Sequence, residues 1–199
     1  MRKLSLILVI FSLLTNASNA STYSTEPQQF INELAKDLIG KLSDKNLTKE
    51  QKESFIEKIA IENVDINALG LYTLGELRNS LDEKTKAKYQ KTFEKYFLKN
   101  LTSRLTDYSS NKFEIIGADK KSANYTIVKT KIAQSEKQPE VKIDWRVYTK
   151  NPEKPLVRDL IVEGLSLART QKEEFASILN SNNSDINILI SRLEEFVNK

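Results

Sequence analysis

The tightest constraint in this chain is a seven-residue run, Val141-Lys142-Ile143-Asp144-Trp145-Arg146-Val147, in which apolar and charged side chains alternate without a fault. Successive side chains of a β-strand point to opposite faces, so this is the pattern of a strand with one face buried and one wet. Asn151-Pro152-Glu153-Lys154-Pro155 follows. Its prolines fix φ and remove ladder donors, which ends the pairing. A second apolar-rich run, Leu156 to Leu167, then returns. The two runs predict an antiparallel pair whose greasy face carries the chain's only tryptophan, Trp145.

The segments before this pair read as helices. Phe30, Leu34, Leu38 and Leu42 recur at steps of four in Pro27 to Leu42, with proline in the first turn, where its missing N–H costs nothing. Thr48 with Gln51 is a capping box opening a helix to about Ala60. Asp65 caps a shorter one through Leu74, although Gly70 weakens it. Ser80 followed by Glu83 predicts the start of the longest helix, to about Tyr108. Tyr89, Phe93, Phe97, Leu101, Leu105 and Tyr108 run along it as one stripe. Lysines from Lys84 to Lys99 cover its other sides, as on a solvated face.

From Lys112 the character changes. Phe113 to Gly117 predicts a strand, and Ala123 to Ala133 a second. In that second strand Tyr125 and Ile127 share a phase that Ile132 breaks, which predicts a β-bulge. Thr170 is placed as the cap of a helix to about Leu179, and Asp185 as the start of a last helix to Val197. Helices, then a strand meander, then helices give the α+β class: N-terminal helices, a four-stranded antiparallel curved sheet and C-terminal helices, enclosing a hydrophobic pocket.

The residue inventory narrows the chemistry. There is no histidine and no cysteine in 199 residues. Histidine-based catalytic triads, cysteine nucleophiles, histidine metal sites and disulfides are therefore excluded. At the N-terminus Arg2 and Lys3 precede an apolar run, Leu4 to Leu14, and Ser18-Asn19-Ala20 supplies small residues. That is the form of a cleaved secretory signal over residues 1–20, with residues 21–199 as a single domain. Its removal leaves 29 basic residues against 27 acidic ones, too even a balance for a nucleic-acid partner.

Several stretches resemble one family. They are Tyr96-Phe97-Leu98 with Ser103-Arg104-Leu105 and Tyr108-Ser109, then Asp144-Trp145-Arg146-Val147, then Val162-Glu163-Gly164-Leu165-Ser166-Leu167 with Thr170-Gln171 and Glu174-Phe175. In this order and spacing the chain resembles the MlaC family, the toluene-tolerance auxiliary transport proteins. Leu156 departs from it, standing where the family suggests an aromatic residue. The resemblance implies a periplasmic protein with a deep apolar pocket, carrying phospholipid between the outer and inner membranes and so maintaining outer-membrane lipid asymmetry. It implies two protein partners: an outer-membrane lipoprotein complex, and an inner-membrane ABC transporter complex with a ring-shaped lipid-binding component. It implies no enzyme activity and no cofactor beyond the phospholipid carried as cargo.

The pocket lining expected from the strand and helix phases is Tyr125, Ile127, Val141, Ile143, Trp145, Val147, Leu160 and Val162 from the sheet, with Phe97, Leu101, Leu105 and Tyr108 from the long helix. Each of these fits ordinary core as well. Asp144, Arg146 and Glu163 fall on the opposite phase, as solvent-facing charge, with Arg146 or Arg169 a candidate for positioning Val162 to Gln171. Two other readings compete: a periplasmic chaperone or adaptor for apolar peptides, and a small-molecule enzyme on a cone-shaped α+β scaffold.

Overall fold

A computed structural model describes residues 23–106, 113–134 and 139–199. Expectations for the signal segment and for Tyr108 lie outside the described residues. Four helices come first: α1 (Pro27–Ser43), α2 (Lys49–Asn63), α3 (Ile66–Thr73) and α4 (Glu83–Leu105). Five strands follow: β1 (Phe113–Ser122), β2 (Tyr125–Ile132), β3 (Val141–Tyr148), β4 (Leu156–Val162) and β5 (Leu165–Ser166). Helices α5 (Leu167–Asn180) and α6 (Ile186–Asn198) close the chain. The sheet is an antiparallel meander in sequence order, β1-β2-β3-β4-β5. The mixed helix-and-sheet class agrees with the sequence, and the strand count is five, not four.

Caps set most helix starts. Thr48 accepts from the Gln51 amide while Gln51 returns a bond to the Thr48 amide, completing the capping box. Asp65 caps α3 through the Ala68 amide at 3.1 Å, and Asp185 caps α6. Helix α4 starts later than Ser80 suggests. The Ser80 hydroxyl donates back to the Leu77 carbonyl, closing the 3₁₀ turn Gly75–Asn79. Asp82 supplies the cap, its Oδ1 taking the Thr85 amide at 2.9 Å.

Helix α5 also starts away from its expected cap. Glu163 (φ 48°) and Gly164 (φ 83°) both have positive φ. That pair of conformations makes a two-residue hairpin turn, so the chain reverses where a continuous strand was expected. Short β5 then folds back on β4, and Ser166 takes the cap by accepting from the Arg169 amide at 3.0 Å. Thr170 sits one turn inside the helix, donating its hydroxyl to the Ser166 carbonyl.

Strand β2 pairs with β3 without a break, so the expected bulge is absent from it. Register shifts fall instead at Ile115/Gly117 and Lys120/Ser122 of β1, and opposite Arg146/Val147, where β4 carries Arg158 as an extra residue. Trp145 faces Val128 and Leu160 across the ladder. The inner face of β2 is therefore Thr126, Val128, Thr130 and Ile132.

Two apolar clusters hold the body together. One joins α1 and α2 to the inner sheet face, through buried Phe30, Ile31, Leu34, Ile59, Val128, Val147 and Val157. The other is helical, built on Tyr89, Phe93, Phe175, Leu189, Ile190 and Leu193. Val64, between α2 and α3, packs against both.

Candidate functional site: an apolar cavity between the two clusters

The space between the clusters is not filled. A cavity of about 370 Å³ lies there. Its floor is Leu34 and Leu38 of α1 with Ile56, Ile59 and Ala60 of α2. One wall is the later part of α4, with Phe97, Leu101 and Leu105. The sheet contributes Trp145, Val157 and Leu160, and α5 closes the far side from Leu167 to Glu174.

The tryptophan is held in place by the sheet. Its Nε1 donates to Thr130 Oγ1 at 3.0 Å, and the Thr130 hydroxyl donates on to the Ile143 carbonyl at 2.7 Å. Thr130 is fully buried, so its polar hydroxyl is satisfied on both sides and the indole carries no unpaired N–H into the cavity.

Polar groups gather toward α5. The Tyr96 hydroxyl donates to Gln171 Oε1 at 3.0 Å, and Gln171 Nε2 donates to Glu174 Oε2 at 2.9 Å. Burial pushes the Tyr96 phenol pKa up, Glu174 adds to the rise, and the Gln171 bond and Arg104 oppose it. Asp159 reaches the lining too, but its carboxylate is committed. It accepts from the Ser166 hydroxyl at 2.6 Å and the Ala168 amide at 3.0 Å, and lies 3.7 Å from Arg146 Nη1. A carboxylate at a helix N-terminus is favourable for the α5 dipole. Arg146 thus reaches the start of α5 by way of Asp159, as the sequence suggested for one of two arginines.

Of the expected lining residues, Phe97, Leu101, Leu105, Trp145 and Leu160 do border the cavity. Val147 lies on the same sheet face but is buried core under α1. Val141, Ile143 and Val162 share that face and do not border the cavity. Tyr125 and Ile127 are on the wrong face. They pair with Tyr148 and Arg146 and border an outer groove with Lys121, Lys129 and Asp144. That groove has a volume of about 640 Å³, but its ring of charges is no lining for hydrocarbon. Leu156 pairs with Tyr148 on this outer side, so its departure from the family pattern does not touch the cavity.

The sequence reading missed the contribution of α1 and α2, and that of Leu167 and Gln171. The first two helices look like plain amphipathic helices, and nothing in their spacing distinguishes a residue facing space from one facing a neighbour. Among the described residues no group of acidic side chains could hold a metal ion, and no buried side-chain nitrogen or oxygen lacks a partner.

Comparison with known proteins places this geometry. Residues 28–195 match the sequence model of the family described as MlaC protein. Among solved structures the chain is similar to a phospholipid-binding protein from Ralstonia solanacearum in complex with a phospholipid. The TM-score is 0.71 at 15% identity, over 85% of this chain and 96% of that one, and at this identity the likeness is one of fold. No curated protein sequence matches the chain.

Proposed function

This chain belongs to the MlaC family, and from that premise we propose that it is a periplasmic phospholipid shuttle rather than an enzyme. It takes up lipid from one membrane system and releases it to the other, between an outer-membrane lipoprotein complex and an inner-membrane ABC transporter with a ring-shaped lipid-binding component. Outer-membrane asymmetry is the outcome such traffic serves. The signal-like residues 1–20 support export as its route to the periplasm.

The observation that carries the proposal is the apolar cavity between the two clusters. Two acyl chains hold roughly 30 methylenes, and at ~0.8 kcal/mol each their exposure costs more than ~20 kcal/mol. A carrier must replace the bilayer interior nearly one for one, which calls for bulk apolar lining and no reacting group. The lining here fits: among the described residues its one buried carboxylate, Asp159, is used up in holding α5. The phospholipid bound to the Ralstonia protein of the same fold also supports this reading.

Native mass spectrometry of the protein exported with its own signal tests it. Wild type is expected to carry phospholipid. Leu160→Arg, which puts a charge into the cavity wall opposite Trp145, is expected to lose that lipid while keeping a folded far-ultraviolet spectrum. A wild type that arrives empty, or that carries peptide instead, overturns the proposal.

A further inference from the structure

Among the described residues three charged ones border the cavity: Arg104, Asp159 and Glu174. Asp159 is buried and fully engaged. Arg104 and Glu174 are exposed, one on α4 and one on α5, with the Tyr96 phenol responding to both charges. Neither is paired with the other. Arg104 Nε donates to Asn100 Oδ1 at 2.9 Å, and among the described residues its two terminal nitrogens have no bonding partner. Glu174 Oε2 accepts from Gln171, itself held by Tyr96, and among the described residues Oε1 has no bonding partner.

Each charge is thus fixed by a neutral amide, not cancelled by its opposite. A guanidinium held at Nε presents its remaining donors in a planar fork suited to phosphate oxygens. A carboxylate oxygen with free lone pairs accepts from an ammonium. The chain has 31 lysines and arginines, and among the described residues Arg104 is the one that reaches this rim. A mouth made for anionic headgroups would gather more of them. Among the described residues the rim carries one charge of each sign, and its complement is a ligand that does the same.

Resting on the reading of the cavity as a lipid site, we propose that Arg104 and Glu174 form a headgroup cradle selective for zwitterionic, amine-bearing phospholipids, Arg104 taking the phosphate and Glu174 the ammonium. Lipids with an uncharged polar headgroup on the phosphate meet Arg104 alone and leave Glu174 facing a net negative ligand.

The test is competition from equimolar vesicles of phosphatidylethanolamine and phosphatidylglycerol, read as the ratio of the two complexes by native mass spectrometry. Wild type should favour phosphatidylethanolamine by up to about fivefold, the scale of one exposed ion pair. Glu174→Gln should bring the ratio toward one, and Glu174→Lys should turn it toward phosphatidylglycerol. Arg104→Gln should lower loading of both lipids, since both carry the phosphate. Both side chains are exposed, so the variants should melt with the wild type. A wild-type ratio at or below one, or a ratio unmoved by Glu174→Gln, overturns the cradle while leaving the lipid site standing. A wild type that loads neither lipid overturns the lipid site and the cradle with it.

Discussion

Helix α4 passes through two different neighbourhoods. Around its first half the interior is solid: Tyr89 and Phe93 are buried, and the Phe93 ring lies 5.9–6.3 Å from those of Tyr89, Tyr96, Phe97 and Phe175. Around its second half the same stripe continues as Phe97, Leu101 and Leu105, but these are only partly buried and face the cavity. The spacing does not change between the halves. What changes is the opposite side, where α5 and α6 fill the first neighbourhood while the sheet, α1 and α2 stand back from the second. Hollowness here is a property of what faces a helix, not of the helix.

The largest contrast should come from truncating one side chain in each region. Phe175→Ala removes a 1%-exposed ring from the solid side and should cost ~3–5 kcal/mol in urea unfolding. Leu101→Ala on lipid-free protein should cost less than ~1.5 kcal/mol, because its side chain already borders empty space and loses little contact. Equal losses at the two sites would break the comparison.

A second substitution locates the boundary between the regions. Gly70 lies inside α3, where alanine alone would be favoured by ~1 kcal/mol. A Cβ there would come within 2.9 Å of Phe93 Cδ1 and 3.3 Å of Cγ. Phe93 belongs to the solid cluster yet also borders the cavity. With four rings around it, it should hold its place, and Gly70→Ala should destabilise by on the order of 1 kcal/mol net of the helix gain. A stabilised variant would mean that the ring yields into the cavity, and that the solid region ends before it.

The same distinction explains what could be read from the sequence. Strand β3, its wet face and the inward Trp145 follow from alternation alone, since charges at Lys142, Asp144 and Arg146 leave a single phase. In β2 Tyr125 and Ile127 point away from the cavity. Lys129 and Lys131 share their phase, while the inner positions alternate threonine with apolar residues, Val128 opposite Trp145 and Thr130 bonded to its indole. The lysines were the better guide, and they also dispense with the bulge. The Glu163-Gly164 reversal was hidden because Glu163 adopts a φ that its residue type disfavours, held there by Lys142, whose amide donates to its carboxylate at 2.5 Å. The cavity is legible least of all, because residues of α1, α2 and α4 that border it carry the same pattern as those packed in core.

The smallest expected effect concerns how the solid end of α4 is anchored. The Asp82 carboxylate is held below its usual pKa by the Thr85 hydroxyl first and the Thr85 amide second. A carboxyl lowered on folding contributes stability that is present above its unfolded pKa, about 4, and is lost as pH falls through the folded value. The wild type should therefore lose part of its stability as the pH is taken below about 4. Asp82→Asn keeps an acceptor for the Thr85 amide but has no proton to gain, so its stability should fall less over the same range. Asp82 anchors only the solid end, so between pH 5 and 3 the variant and wild type should differ in melting temperature and not in the fraction that carries lipid. If the lipid fraction separates the two proteins instead, the ends of α4 are coupled, and the division drawn along this helix is wrong.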